Sequence, residues 1–413
     1  MEKIKFIHAA DLHLDSPFKG LNRLPKPLFD KLKESTFISF FNMIEIALRE
    51  QVDFVCIAGD LFDEEMRSLK AQISLRNGFE KLAQSGISVF VVHGNHDHLG
   101  GSWAQLSWPE NVYFFPNHVE VMPFVKNGEK LAHIYGFSYG KRQVTENMVK
   151  YYEKKEGAPY HIAMLHGNLQ GKVDHDPYAP FTVSELVDKN FDYWALGHIH
   201  KQQILHKNPY IIYPGNLQGR HSKESGEKGC FIVEMDNVHT NCRFVPCASV
   251  VWEEWKISID NFSTIDEFIR DVHRKKEAYR NSDNGRRNAT ILTIELCDSG
   301  AIYKELQDES LLKELCDILN EGEDVEEHSI WIGAIRNETT EQYDRQILKS
   351  ESHFIGDLIK RIDEYGDNQY EEALAQLLEN RKASIYLEAL KDDKQEVLQQ
   401  AERLLFNELL KEM

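Results

Sequence analysis

Over its first 250 residues the chain predicts a layered α/β fold. Short apolar runs rich in β-branched residues recur, stretches of helical length and spacing separate them, and five runs end on small polar clusters. The runs 4–9, 54–58 and 87–92 have strand length, and residues 28–48 and 69–82 carry helical periodicity between them. Further strands are predicted over 131–137, 162–165, 193–196, 210–213, 230–235 and 242–245. The later strands are closely spaced, which suggests a second sheet packed on the first.

Near residue 250 the pattern changes. A strand over 252–259 leads into Thr264-Ile265-Asp266-Glu267, a T-x-x-E capping box that opens a helix. Ile265, Phe268, Ile269 and Val272 then fall on one helical face. A polar loop, a strand over 290–296, a helix around 311–319 and a strand over 330–335 complete a small β-α-β-α-β unit. Beyond it the chain reads as helical, with apolar stripes at Ile355, Leu358, Ile359 and Ile362 and at Leu398, Ala401, Leu405 and Leu409.

The 413 residues leave room for two or three domains. A net charge of −19 argues against a free-standing nucleic-acid binder held by its own basic surface. If nucleic acid is the substrate, metal ions, a local basic patch or a partner must overcome the repulsion. No run reaches the ~18 consecutive apolar residues of a membrane span, and the opening Met1-Glu2-Lys3-Ile4-Lys5-Phe6 lacks the form of a signal peptide. The six cysteines contain no C-x-x-C pair. The expectation is a reduced, cytoplasmic protein with no membrane span.

The chemistry is concentrated in five motifs at predicted strand ends: Asp11-Leu12-His13, Gly59-Asp60, Gly94-Asn95-His96-Asp97, His166 and Gly197-His198-Ile199-His200. Strand C-terminal ends are where open α/β sheets place a ligand crevice. Carboxylate, imidazole and amide donors without thiolate suit Mn, Fe or Zn. Alternation along a strand would aim Asp11 with His13, and His198 with His200, toward one cluster. Singly, each motif is commonplace. Seven ligand-type side chains from five ordered segments match what two metal ions about 4 Å apart require.

This ordered set resembles the calcineurin-like metallophosphoesterase superfamily. Within it, Phe6-Ile7-His8-Ala9-Ala10-Asp11-Leu12-His13-Leu14 and Ala58-Gly59-Asp60-Leu61-Phe62-Asp63 look like the nuclease subunit of the SbcCD DNA-repair complex, in its bacterial YhaO type. The motifs cover residues 1–250; beyond them the likeness is architectural. It implies a four-layer αββα metallophosphoesterase sandwich over 1–250, a small α/β capping domain over 251–338 and a helical tail over 339–413. The tail would grip an SbcC-like coiled-coil ATPase, and homodimerisation is expected from the same source.

Carried over residue by residue, the resemblance implies one metal held by Asp11, His13, Asp60 and His200. A second would be held by Asp60, Asn95, His166 and His198, with Asp60 bridging. The pair is Mn²⁺ in such nucleases. His96 would protonate the leaving oxygen or stabilise the transition state, and Asp97 beside it could orient the ring. Where archaeal and eukaryotic relatives carry a histidine after Gly-Asp-Leu-Phe, this chain has Asp63, so that histidine's role does not transfer. Tyr213-Pro214-Gly215-Asn216 followed by Arg220 resembles the loop bordering the family's active site. Lys141, Arg142, Asn216 and Arg220 are the candidate substrate contacts. His8, His93 and His98 read as packing or supporting residues, and Asp174, His175 and Asp176 as a loop rather than a third site. The expected activity is metal-dependent, exonucleolytic hydrolysis of DNA in a repair complex with that ATPase. A small-molecule phosphatase or cyclic-nucleotide phosphodiesterase would use the same ligands. A non-catalytic scaffold that binds DNA ends is the third reading.

Overall fold

A computed structural model describes residues 2–18, 21, 24–63, 67–101, 104, 106–170, 177–282, 289–323, 328–341, 345–350, 354–378 and 394–411. They divide into two compact units. The first comprises residues 1–254, 276–293 and 322–333; the second comprises 255–275, 294–321 and 334–413.

The first unit begins with the β-α-β alternation that the apolar runs predict: β1 (Ile4–Ala9), α1 (Lys26–Glu50), β2 (Phe54–Ala58), α2 (Leu69–Gln84), β3 (Ser88–Val92) and β4 (Val112–Phe114). Gln51 closes α1 in a left-handed conformation, its N–H reaching back to the Ala47 and Leu48 carbonyls. Ser68 caps α2, its hydroxyl accepting the Ala71 N–H at 3.0 Å. Strands β1 to β4 are parallel neighbours. The middle of the chain gives β5 (Glu120–Lys126), β6 (Glu129–Gly136), β7 (Tyr160–His166), α3 (Val183–Asp188), β8 (Tyr193–Gly197), β9 (Gln203–Lys207) and β10 (Tyr210–Tyr213). These strands form a second sheet in the order β5-β6-β7-β8-β10-β9.

The closely spaced later strands depart from the sequence expectation. Strands β11 (Gly229–Met235) and β12 (Thr240–Pro246) do not belong to the second sheet; they return to extend the first, in the order β12-β11-β1-β2-β3-β4. Strand β11 pairs antiparallel with β1, Ile7 opposite Ile232. Sequence spacing shows that strands form a hairpin, but not which free edge it joins.

Alternation sorts each strand's side chains into two layers. Ile7, Ala9, Val55, Ile57, Val89 and Val91 face α1 and α2, meeting Phe40, Met43, Ile44, Leu75 and Phe79. Phe6, Phe54, Phe90 and Phe231 face the other way, onto Ile134, Ile162, Met164, Tyr193 and Ile212 of the second sheet. The outer face of that sheet, with Tyr135, Leu165 and Trp194, is covered by Phe181 and by Leu186 of α3. The chain therefore has the expected αββα sandwich, with one outer helical layer thinner than the other. Helix α3 is only six residues long, opened by a capping box between Thr182 and Glu185.

Strands β13 (Val250–Ser258), β14 (Ala289–Asp298) and β15 (Ile330–Thr339) form a three-stranded sheet in that order. Between them lie α4 (Ile265–Arg280), α5 (Tyr303–Leu306) and α6 (Glu309–Asn320). The second unit also holds α7 (Arg345–Ser350), α8 (Phe354–Asp363), α9 (Asp367–Leu378) and α10 (Lys394–Lys411). Ile355 and Ile359 pack on Phe406, with Leu358 and Leu409 at the rim. The packed face of α10 is thus only partly the predicted stripe: Leu409 packs, but Phe406 is buried while Leu405 is 45% exposed. Glu402, buried on the same helix, pairs with Arg345 at 2.7 Å. Among the described residues, no helix is long and apolar enough to cross a membrane.

Candidate metal centre

All five motifs follow the C-terminal ends of strands in the first unit, as expected, but the chain does not stay extended there. Past β1 the Asp11 N–H bonds the Gly59 carbonyl and the His13 N–H bonds the Asp60 carbonyl, both at 3.0 Å. The exits of β1 and β2 therefore run on together to a bridge between Leu14 and Phe62. Asp11, His13, Asp60 and His198 all have positive φ, at 53°, 42°, 51° and 98°. Left-handed non-glycine residues are uncommon, and four among seven candidate ligands mark a strained, functional backbone. These turns, not strand alternation, aim the side chains. The consequence is visible at the last motif, where His198 and His200 point to different groups.

One group is Asp11, His13 and His200. Asp11 and His13 are buried. The His200 Nδ1 lies 2.7 Å from Glu224 Oε1, so Nδ1–H donates to the carboxylate and Nε2 carries the lone pair. That Nε2 is 3.1 Å from His13 Nε2. Burial, then the neighbouring Asp60, raises the Asp11 carboxyl well above its ordinary range. Burial, followed by the Arg220 charge, holds the His13 imidazole well below its own.

A second group is Asp60, His166 and His198, and a third, His13, Asp63 and His96, shares His13 with the first. The His166 Nδ1 lies 2.9 Å from the Ala58 carbonyl, which fixes its hydrogen there and leaves Nε2 as a lone pair. This Nε2 faces the Asn95 Oδ1 at 3.0 Å, and the same amide oxygen is 3.2 Å from His198 Nδ1. Asp60 Oδ2 is 3.5 Å from His166 Nε2 and 3.8 Å from His13 Nε2, so one carboxylate oxygen stands near the first and second groups. Three glycines allow this approach. A Cβ on Gly59 would overlap the His166 ring, one on Gly94 the Asp60 carboxylate, and one on Gly197 the Ala58 carbonyl. The His166 Nε2 lone pair and the Asn95 Oδ1 face one another across 3.0 Å with no hydrogen between them, which is unfavourable unless a cation lies there. The donor set therefore fits divalent metal ions in the first and second groups.

His96 sits at the margin. Its N–H donates to Asp60 Oδ1 at 3.0 Å, its Nδ1 donates to the Asp63 carbonyl at 2.6 Å, and its ring is 5.2 Å from that of His13. Asp97 does not orient this ring, contrary to expectation, because the Asp63 carbonyl already holds its Nδ1. The Asp97 carboxylate instead takes the Gly94 N–H at 2.6 Å, the Leu61 N–H at 3.0 Å and the His93 Nδ1 at 3.0 Å. Burial pushes its carboxyl up, but His93 and the two amides outweigh burial and leave it lowered. It fastens the ligand loop and gives His93 a supporting part. His8 bonds Tyr193 and the Leu196 carbonyl, away from the cluster.

The predicted substrate contacts separate. Lys141 and Arg142 are exposed, in the segment after Tyr139, whose carbonyl bonds the Leu99 N–H at 2.8 Å. Asn216 is wholly buried and has no surface to offer a substrate; its amide serves the Gln218 carbonyl and Glu224. Arg220 is paired tightly with Asp63, with its other guanidinium nitrogen 3.6 Å from Glu224. Residues 174–176 lie outside the described residues. Sequence reasoning missed Glu224. Burial raises its carboxyl, but His200 and Arg220 outweigh that and hold it far below the ordinary range. No spacing signals it, since its partner lies 24 positions away.

A family model described as calcineurin-like phosphoesterase matches residues 4–202. The chain is 43% identical to the metallophosphoesterase YhaO of Bacillus subtilis, over 87% of each chain. It is 24% identical to the DNA double-strand break repair protein Mre11 of Methanocaldococcus jannaschii, over 66% of this chain and 74% of that one. It is 28% identical to a subunit of the nuclease SbcCD from Staphylococcus saprophyticus, over 59% of this chain and 69% of that one.

Proposed function

The chain belongs to the calcineurin-like metallophosphoesterase family, and we propose that it hydrolyses DNA phosphodiester bonds as the exonuclease subunit of an SbcCD-like repair complex. The observation that carries the reading is the position of Asp60, one oxygen of which lies near a histidine of each ligand group. Asp11, His13, Asp60 and His200 would hold one ion; Asp60, Asn95, His166 and His198 would hold the other. Mn²⁺ is the proposed metal. When bound, such a pair neutralises charge on the phosphate and orients water for in-line displacement.

The protein's own groups supply the rest. With Nδ1 of His96 engaged by the Asp63 carbonyl, Nε2 is the atom that passes a proton to the leaving oxygen. Lys141 and Arg142, both exposed, would meet the backbone phosphates of a strand entering the site. DNA as substrate rests on the relatives described as Mre11 and as part of the nuclease SbcCD. With a net charge of −19, a partner that brings basic surface would favour tight DNA binding. We assign that part to an SbcC-like coiled-coil ATPase docked on the helical tail.

The deciding experiment measures Mn²⁺-dependent degradation of linear double-stranded DNA, with and without the ATPase, beside cleavage of a small phosphodiester. Progressive loss of nucleotides from DNA ends is expected, abolished by Asp60→Ala. Turnover of the small ester with no action on DNA, whether or not the ATPase is present, would overturn the reading.

A further inference from the structure

Glu224 is a heavily engaged carboxylate at the site that is not itself a proposed ligand. Its side chain is 8% exposed. One oxygen accepts from the Asn216 amide at 2.9 Å and from the Arg220 N–H at 2.7 Å. The other faces His200 Nδ1 at 2.7 Å. Lys228 meanwhile holds the His200 carbonyl at 2.8 Å, so ring and backbone of this histidine are fixed separately. Arg220 Nη2 also stands 3.2 Å from His200 Nδ1. Two groups thus compete for one ring nitrogen, and they demand opposite tautomers. A carboxylate needs a hydrogen on Nδ1. A guanidinium needs a lone pair there, which would move the hydrogen to Nε2 and point it into the ligand cluster.

We infer that Glu224 is a positioning residue that decides this competition, holding His200 in the tautomer whose Nε2 lone pair faces Asp11 and His13. The inference rests on the proposed metal pair and deepens it. Because His166 is fixed independently by the Ala58 carbonyl, Glu224 sets the affinity for one ion and leaves the other alone. Arg220 is then not a phosphate contact. It is a charge that Asp63 and Glu224 hold in check.

The test titrates the full chain with Mn²⁺ alone, counting bound ions by electron paramagnetic resonance, with circular dichroism to establish folding. Glu224→Ala should weaken one of two ions by about 10–100-fold, as loss of such supporting partners does, and leave the second within about twofold. Glu224→Gln, which preserves volume, should weaken the same ion, because its amide cannot accept from His200, Asn216 and Arg220 together. Adding Arg220→Ala to Glu224→Ala should recover much of the lost affinity by removing the competing donor, a result that general loosening of the loop would not give. Wild-type affinity for both ions in either single variant, equal loss of both ions, or no recovery in the double variant would overturn the inference. A wild-type chain that binds fewer than two ions would instead overturn the proposed metal pair, and this inference with it.

Discussion

The Asp60 carboxylate accepts the main-chain N–H of His96 at 3.0 Å. The residue nearest both ligand groups is therefore also the one that seats the proposed proton donor. Asp60→Ala should bind no stable pair of ions and show no activity above background. In wild type, ions at 100 times their dissociation constant should raise stability by about 2.7 kcal/mol. Thermal unfolding with Mn²⁺ and with a chelator checks both, since the metal-dependent shift should vanish in the variant.

His96→Ala should separate binding from turnover. His96 is not among the ligands proposed for either ion and its Nδ1 is taken by the Asp63 carbonyl, so two ions should remain while turnover falls about 10²–10⁴-fold. Metal counting beside single-turnover kinetics distinguishes this from damage to the centre, which would lower both.

Asp97→Ala should behave differently from its neighbour's variant. Removing a fully buried carboxylate leaves His93 and two amides without their acceptor, at a cost of about 3–5 kcal/mol. Chemical denaturation of the metal-free protein should show this loss, and should show little change for His96→Ala.

An acid-sensitive stabilising contact lies away from the centre. Glu323 accepts from Lys276 at 2.8 Å, from Arg280 at 2.7 Å and 2.9 Å, and from the Ile330 N–H at 2.7 Å. Burial raises its carboxyl, but Lys276, the Ile330 amide and Arg280 outweigh burial and leave it below the ordinary value of 4.5. A depressed folded value means that the contribution is complete above 4.5 and is lost as pH falls below it. Glu323→Gln should be less stable at neutral pH and should lose less stability on acidification, as pH-dependent denaturation curves will show.

The proposed partner contact belongs to the helical tail. Its ten basic and seventeen acidic residues from Glu341 onward make it a poor surface for DNA. Phe354, Leu404 and Leu405 remain exposed beside the packed trio Ile355, Ile359 and Phe406. Truncation after Glu341, which spares β15, should preserve Mn²⁺-dependent cleavage of a small phosphodiester and abolish co-purification with the ATPase. Serine at the three exposed positions should do the same without unfolding the tail. Full-strength ATPase binding by either variant would show that the helices are only structural.

The sandwich was legible in the sequence because its central strands are uninterrupted apolar runs such as Phe54–Ala58, which only burial on both faces explains. The edge strands β4, β5 and β9 carry no such signal: β4 is three residues long, Pro123 interrupts β5, and β9 is polar at Gln203, His206 and Lys207. The seven ligand-type residues stood out because each follows a core strand. Glu224 did not, because its contact is made by a loop folding back, and Asp97 misled because adjacency to His96 in sequence is not adjacency of side chains. Asn216 misled in a related way: a polar residue in a loop beside the site turned out to be wholly buried and to serve a carboxylate.

The left-handed conformations of Asp11, His13, Asp60 and His198 carry an evolutionary consequence. Each such non-glycine residue costs of order 1–3 kcal/mol, and the two carboxylates among them repel one another until a cation arrives. Glycine at any of these four places would relax the backbone while deleting a ligand. A population of variants selected for heat resistance in the absence of metal should therefore drift toward a sturdier, inert protein, and lose its site before its fold. The four residues are tolerable only where the chemistry of the centre is selected, because selection on folding alone would remove them.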